Sequence, residues 1–300
     1  MAFITDKITG KKLLKPPLKL IGAKTKVRGQ LYHYFPEHTT YVEPFMGTAG
    51  VLIGKPKSNL EITGDKEWES YNFYKILQER PEDLWDNYWK SYKHMINMGE
   101  EHGRIFFEAY KDTLNLSNIP NLELAVAYYF VNKLAMNGIF RRNKTGKVNS
   151  SYCQTIKGRG FMDRHWFDLV LERIKEVQFL HEDYSVTIRK QIPGAFTFVD
   201  PPYRECKTTY NGVKFTDADH ELLKDMLEVH CDKWMLTIND DEWVRGLYKG
   251  YNFCSWDVNY SCSQTPSGRG NHPELIITNY DPPNRIKGNG TSLISQEATL

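Results

Sequence analysis

The strongest constraint on the fold is a repeated pattern in which a short apolar run ends at a small or acidic residue and is followed by a helical pattern. Residues 40–44 form such a run and lead into a glycine-rich turn. Residues 60–63 form another, which ends at Gly64 and Asp65 before a helical pattern that Pro81 stops. Successive units of this kind predict a parallel α/β sheet.

The pattern is then interrupted and resumes later. About a hundred residues of mostly helical pattern, rich in Tyr, Trp and Lys, precede the next strand-like run at residues 177–180. After it come strand-like runs at residues 195–199, 234–238, 251–254 and 275–278, and a helical pattern from about residue 217 to residue 230. We therefore predict a discontinuous sheet domain over residues 1–80 and 170–280, with an inserted, mostly helical domain over residues 81–169. Residues 281–300, with few apolar side chains, predict a flexible tail.

Within the inserted segment, residues 122–140 predict a buried helix, and residues 141–153 predict a polar β-hairpin that turns at residues 144–146. Basic residues are concentrated there, since residues 141–164 contain seven Lys or Arg and the single acid Asp163. Residues 7–28 contain eight Lys or Arg and no acid. A solvated charged face is the commoner explanation for any one such run, and the net charge of +2 does not by itself identify a nucleic-acid binder.

The cysteines and the apolar runs bear on where the protein works. The five cysteines are odd in number and include no C-x-x-C pair, which disfavours a disulfide framework and a zinc site. The first ten residues lack the apolar core of a signal peptide, and no apolar run approaches the length of a membrane span. We expect a soluble cytoplasmic protein with reduced thiols and no membrane partner.

The sequence Asp200-Pro201-Pro202-Tyr203 directly follows the strand predicted at residues 195–199, at the sheet edge where ligands bind in open parallel sheets. Asp200 and the Pro201 carbonyl can accept both hydrogens of an exocyclic nucleobase amine such as that of adenine, which directs its lone pair toward an electrophile. The prolines restrict the turn, and Tyr203 stacks on the base. A sulfonium methyl group is already electrophilic, so its transfer requires positioning and no metal. By itself the motif fits an active site and a simple post-strand turn about equally well.

Other strand ends carry residues suited to a nucleoside. Gly47 and Gly50 allow the backbone to bend closely around a ligand at a helix start, but their spacing is not the G-x-G-x-x-G of nicotinamide binders. Phe45 packs either on a cofactor or in the core. Asp65 and Asp183 follow further strand-like runs, where a carboxylate accepts hydrogen bonds from ribose hydroxyls or from an adenosine amine. Each is alternatively a helix cap or a turn residue.

Together these motifs resemble the Dam-type family of DNA adenine methyltransferases over nearly the whole chain. Residues 17–24 are similar to the family's N-terminal motif, and residues 43–47, 64–65 and 200–203 follow in the family's order. The resemblance implies a Rossmann-like class I methyltransferase sheet, S-adenosylmethionine as cofactor, S-adenosylhomocysteine as product and no metal. It implies catalysis by Asp200, Pro201, Pro202 and Tyr203, and cofactor binding by Lys24, Phe45, Gly47, Asp65, Asp183 and Asp200.

Residues 136–143 resemble the family's DNA-recognition hairpin. By this likeness Asn137 enters the duplex beside a flipped-out adenine, and Arg141 reads a guanine edge. Arg142, Lys144 and Lys147 would hold phosphates. The resemblance thus implies double-stranded DNA as the partner, at GATC or a related site, in a bacterial cell or a phage-infected host.

The chain departs from the family's usual pattern at Leu20, Ala23 and Ala49, which concern cofactor binding, and at residues 149–152, which concern the target sequence. Two other functions stay open at this point. One is a DNA-binding homologue that transfers no methyl group, and the other is an enzyme that methylates a cytosine amine or an RNA base.

Overall fold

The computed structural model describes residues 2–6, 10–117, 119–204, 215–260 and 270–283, without the side chains of Asn137 and of residues 257–260 and 270–272. Within them a seven-stranded sheet contains β3 (Thr40–Glu43), β4 (Leu60–Asp65), β5 (Gln178–His181), β6 (Ala195–Val199), β7 (Lys233–Asn239), β8 (Asn252–Tyr260) and β9 (Gly270–Thr278). Two short strands, β1 (Phe3–Thr5) and β2 (Lys12–Leu14), pair antiparallel outside this sheet.

The strand order across the sheet is β5-β4-β3-β6-β7-β9-β8. Strands β3 to β7 are parallel, whereas β9 pairs antiparallel with both β7 and β8. The strand order reverses at β3, which lies between β4 and β6. In open parallel sheets a crevice forms outside the carboxyl ends of the strands at such a reversal, and ligands bind there. The residues after β3, β4 and β6 all lie at this edge.

The helices occupy the connections between these strands. They are α1 (Arg28–Tyr32), α2 (Gly50–Gly54), α3 (Trp68–Glu79), α4 (Pro81–Met98), α5 (Gly103–Leu116), α6 (Leu122–Leu134), α7 (Arg164–Ile174), α8 (Tyr184–Ile188), α9 (Asp217–His230) and α10 (Glu242–Leu247). Short 3-10 turns cover Lys24–Lys26, Glu100–His102 and Met136–Gly138. The predicted α/β sheet is confirmed and is mostly parallel, whereas the antiparallel pairing of β9 was not predicted. Helices α4 to α7 lie in the long connection between β4 and β5.

Two predicted elements differ in detail. The helix predicted over residues 122–140 ends at Leu134, because Ala135 takes an extended backbone conformation and a 3-10 turn follows. The hairpin predicted over residues 141–153 forms two isolated antiparallel bridges, Ala135 with Tyr152 and Arg142 with Val148, instead of continuous strands. Its tip is a turn, in which the Asn143 side chain accepts hydrogen bonds from the backbone amides that follow.

A continuous hydrophobic cluster joins the sheet to α3 through α7. It includes Phe196 and Phe198 of β6, Tyr88 of α4, Phe130 of α6 and Trp166 of α7. A second cluster, on the side of α9, contains Trp234 and Leu236 of β7. The division into two domains stays a prediction, and so does the flexible tail, of which residues 284–300 lie outside the described part of the chain. None of the described helices combines the length and apolar character that crossing a bilayer requires.

Candidate functional site

Asp200 follows the carboxyl end of β6. Thr237 of the adjacent β7 donates a hydrogen bond to Asp200 Oδ1 at 2.8 Å, and Lys24 Nζ also lies 2.8 Å from Oδ1. The Lys24 side chain is buried, whereas that of Asp200 is 21% exposed. Among the described residues no hydrogen bond or ion pair involves Oδ2. The carboxylate is therefore held by one oxygen and is able to accept a hydrogen bond from a ligand at the other.

Lys24 connects two members of the predicted catalytic motif. Its ammonium lies 4.7 Å from the centroid of the Tyr203 ring, a cation-π distance, while it contacts Asp200. It also donates a 3.4 Å hydrogen bond to the Gly22 carbonyl and lies 4.0 Å from Glu274 Oε2. Because one buried cation contacts both the carboxylate and the ring, it fixes their relative position.

The glycine turn after β3 is tied to the end of β4. Asp65 Oδ2 accepts a hydrogen bond from the Gly47 amide at 2.7 Å, and Oδ1 accepts one from the Glu67 amide at 2.8 Å. Gly47 has φ of +51°, in the left-handed region that glycine adopts most easily. At Gly50 an added Cβ would lie only 2.8 Å from Thr25 Oγ1. The two glycines thus serve a left-handed turn and a close approach to the segment that follows Lys24.

Burial raises the pKa of Asp65 to about 6, although its hydrogen bonds from the Glu67 and Gly47 amides act in the opposite direction. Each carboxylate oxygen already accepts one backbone hydrogen bond and keeps a second lone pair. Asp65 therefore organises the turn, and it retains acceptor capacity for a hydroxyl group.

Phe45 and Asp183 have protein partners on the same side of the sheet. The Phe45 ring is half-buried and stacks on Tyr184 with centroids 5.0 Å apart. The Asp183 side chain caps α8 by accepting from the Ser185 amide at 3.0 Å. Burial opposes ionisation of Asp183, but this hydrogen bond and the nearby Lys66 ammonium hold its pKa below the usual range. The cap role that the sequence left open is present, and a role in binding adenosine stays a prediction.

Glu43 is a site residue that the sequence analysis did not single out. It ends β3 with its carboxyl group buried, and Tyr41 donates a 2.9 Å hydrogen bond to Glu43 Oε2. Burial raises the pKa of Glu43 to about 8, and the charge of Asp200 acts in the same direction. A glutamate at the end of an otherwise buried strand is the signal in the sequence, since such a group rarely lies in a core without a role.

The residues predicted to contact DNA lie on the loop after α6. Lys144 and Lys147 are exposed near its tip. The exposed Arg141 donates from Nε to the Asn149 carbonyl at 3.2 Å and from Nη2 to Ser151 Oγ at 3.3 Å. Asn137 lies in the Met136–Gly138 turn, and its side chain is outside the described part of the structure. The loop presents several cations to solvent.

Arg142 differs from these neighbours because its guanidinium is used inside the protein. It forms an ion pair with Glu69, whose side chain is 1% exposed, and also donates to the Gly146 carbonyl. This contact anchors the loop to α3. A phosphate contact by Arg142 would compete with the pair to Glu69, and it stays a prediction.

The remaining prediction for the site concerns metal. Among the residues that the structure describes, no three His, Cys, Asp or Glu side chains are grouped as metal ligands. The predicted independence from metal is not tested by this observation.

Comparisons with known proteins agree on one family. The family model described as D12 class N6 adenine-specific DNA methyltransferase matches residues 20–262, which include Lys24 and Asp200. The type II methyltransferase M.MjaIII of Methanocaldococcus jannaschii is 25% identical over 259 residues, 80% of this chain and 89% of that protein. M.CviBI, a type II methyltransferase of Paramecium bursaria Chlorella virus NC1A, is 23% identical over 279 residues, 89% of this chain and 100% of the relative. The DNA adenine methylase of Vibrio cholerae is 23% identical over 268 residues, 86% and 94% of the two chains.

Proposed function

Because this chain belongs to the D12 class N6 adenine-specific DNA methyltransferases, we propose that Asp200, Pro201, Pro202 and Tyr203 are its catalytic motif. The reaction is transfer of a methyl group from S-adenosylmethionine to the 6-amino group of an adenine in double-stranded DNA, at GATC or a related site. The observation that supports this assignment is the one-sided support of Asp200, which leaves Oδ2 to a substrate amine.

The catalytic role follows from the chemistry of the amine. The lone pair of an exocyclic adenine amine is delocalised into the ring, so acceptors that bind its hydrogens make it more available for attack. Asp200 Oδ2 and the Pro201 carbonyl act as these acceptors, while Thr237 and Lys24 keep the carboxylate oriented through Oδ1. Tyr203 stacks on the base from its position over Lys24. When bound, S-adenosylmethionine supplies the electrophilic methyl group.

The residues around the glycine turn fit a nucleoside cofactor. Gly47 bends the backbone, Asp65 keeps free lone pairs for ribose hydroxyls, and Phe45 offers a half-buried ring. Asp183 is the proposed acceptor for the adenosine amine. Lys24 is proposed to contact the cofactor as well, from its buried position beside Asp200.

Binding of DNA is proposed for residues 81–169, with the loop after α6 as the reading element. Asn137 enters the duplex as the target adenine flips out, and Arg141 reads a guanine edge. Exposed Lys144 and Lys147 hold phosphates. Contacts of this kind position the duplex and do not depend on its sequence. The enzyme is proposed to act in the cytoplasm of a bacterial cell or phage-infected host.

The test is transfer of tritiated methyl groups from S-adenosylmethionine to unmethylated duplex DNA. Wild type is expected to label the DNA, and Asp200→Ala is expected to lose at least a hundredfold in rate, since preorganised electrostatic groups of this kind contribute about that much. Asp225→Ala, which removes an exposed carboxyl group on α9, is the matched control and should keep wild-type activity.

The product distinguishes the remaining functions. Digestion to nucleosides and mass spectrometry should identify N6-methyldeoxyadenosine. A methylated cytosine or a methylated ribonucleoside would refute the proposed substrate. If Asp200→Ala stays fully active, the catalytic assignment is wrong. Sequencing that reports modified adenines in DNA from cells that express the protein then identifies the target site.

A further inference from the structure

Four basic side chains meet where the N-terminal segment contacts the helices that follow β4. Lys19 Nζ donates a 2.6 Å hydrogen bond to the Arg159 carbonyl. Lys15 Nζ lies 5.3 Å and Lys133 Nζ 5.2 Å from the centroid of the same Trp166 ring. We call Lys15, Lys19, Lys133 and Arg159 the cation cluster. Lys15, Lys19 and Arg159 are half-buried, whereas Lys133 is 1% exposed.

The cation cluster has no compensating anion in the described part of the chain, because no carboxylate there lies within ion-pair distance of any of its members. The effect is visible in two of them. Burial, followed by the charges of Lys15 and Arg159, lowers the pKa of Lys19. Burial, followed by the charges of Lys19 and Lys15, lowers the pKa of Lys133. A buried ammonium group beside like charges is unfavourable, and an anion that binds among them relieves the repulsion.

The cation cluster also has a defined place relative to the active site. The Asn132 side chain holds the Lys19 backbone through two hydrogen bonds. The Lys19 amide donates to Asn132 Oδ1 at 2.9 Å, and Asn132 Nδ2 donates to the Lys19 carbonyl at 2.6 Å. Gly138 packs so closely that an added Cβ would lie 3.3 Å from Lys19 Cβ. Lys19 therefore contacts the Met136–Gly138 turn and belongs to the same N-terminal segment as Lys24. A duplex positioned by that turn has its backbone nearby.

We propose that the cation cluster binds one phosphodiester group of the DNA backbone. The half-buried ends of Lys15, Lys19 and Arg159 contact the phosphate oxygens. Lys133 lies beneath them, where a bound phosphate favours the protonated form of its amine and is in turn attracted by that charge without direct contact. The proposal rests on the proposed function, since it takes DNA as the substrate. It adds a phosphate site formed by the N-terminal segment, α6 and the loop before α7, separate from the exposed lysines of the recognition loop.

The experiment measures how DNA affinity depends on salt. Each phosphate contact adds about 0.9 to the slope of log affinity against log salt concentration, which equals about 3.5-fold in affinity between 50 and 200 mM salt. Fluorescence anisotropy with a random-sequence duplex is enough, because this contribution is independent of sequence. We expect Lys15→Gln and Lys133→Met each to bind more weakly at low salt and to show a shallower slope. Lys249→Gln removes an exposed lysine of the α10 to β8 connection and should behave as wild type.

A second measurement identifies the phosphate itself. A set of duplexes that contain the target site is prepared, and each duplex carries one uncharged methylphosphonate at a different position of its backbone. For wild type one position should weaken binding several-fold, and the same replacement should have no effect on Lys15→Gln. If both variants keep the wild-type slope and the wild-type methylphosphonate profile, the cation cluster does not bind the backbone. Thermal unfolding verifies that Lys133→Met is folded, and Lys15→Gln decides the question if it is not.

Further outcomes distinguish the backbone contact from a free-phosphate site and from the proposed catalysis. If inorganic phosphate at constant ionic strength weakens DNA binding by wild type but not by Lys15→Gln, phosphate and the duplex compete for the cation cluster, which supports the backbone assignment. If inorganic phosphate binds wild type in a Lys15-dependent manner but leaves its DNA affinity unchanged, the site takes a free phosphate and the backbone assignment is wrong. If wild type binds DNA with the expected cluster dependence but transfers no methyl group, the proposed catalysis fails while the cation cluster stands. If wild type transfers methyl groups but both variants keep the wild-type salt slope, the proposed catalysis stands and the cation cluster does not bind the DNA backbone.

Discussion

The buried carboxyl group of Glu43 makes the stability of this protein depend on pH in a way that one substitution should remove. Its pKa is raised from 4.5 to about 8 by burial. Between these two values the folded protein keeps a proton that the unfolded chain has released. The free energy of unfolding therefore decreases as pH rises through this window, and Glu43→Gln, which cannot ionise, should escape this decrease.

The size of the effect follows from the pKa difference. Each pH unit within the window changes the free energy of unfolding by about 1.4 kcal/mol per proton. Between pH 5.5 and 7.5 the stability difference between Glu43→Gln and wild type should shift by roughly 2 to 3 kcal/mol in favour of the variant. Asp65, whose pKa is raised to about 6, titrates in the same direction, but it is present in both proteins and cancels.

Urea unfolding followed by tryptophan fluorescence at several pH values measures this difference. Glu221→Gln, at an exposed position on α9, is the control, and its stability difference from wild type should stay constant with pH. The substituted amide still accepts the hydrogen bond from Tyr41, so the comparison at low pH starts from similar proteins. A difference between Glu43→Gln and wild type that does not change with pH would refute the reasoning.

Two further predictions concern the glycine turn and the recognition loop. Gly47→Ala should lower the free energy of unfolding by about 1 kcal/mol, measured in urea, because alanine is strained at a φ of +51°; no loss of stability would contradict this. Arg142→Met should destabilise the protein by about 3 kcal/mol because it leaves Glu69 buried without its cation. Arg141→Met should leave stability within about 0.5 kcal/mol of wild type and weaken DNA binding; equal effects of the two arginine substitutions on stability would show that the Glu69 pair is not responsible for the difference.

The sequence predicted the elements that local signals define. Strand β6 and helix α9 have the bounds predicted for them, since β6 is a continuous apolar run and α9 follows Thr216, which forms a capping box with Asp219. The lengths of β8 and β9 were underestimated, because these two strands extend beyond their apolar runs as a paired ribbon. Pairing between distant strands adds residues whose own composition does not predict a strand.

Contacts between distant parts of the chain explain what the sequence could not predict at the site. The Asp200 motif, the glycine turn and Asp65 are recognisable because each has a local signature after a strand. Glu69 has none, and its pairing with Arg142 joins residues 73 positions apart. The same holds for the cation cluster, whose members come from three separate segments. Local patterns contain no information on which side chains face each other after folding.

The shared hydrophobic core of the sheet and α3 through α7 has a consequence for protein engineering. Because Tyr88, Phe130 and Trp166 pack in one cluster with Phe196, a chimera that exchanged residues 81–169 for those of a relative would have to match side-chain volumes across the junction. Redesign of the target sequence should therefore start with the exposed loop after α6, where substitutions leave that core intact.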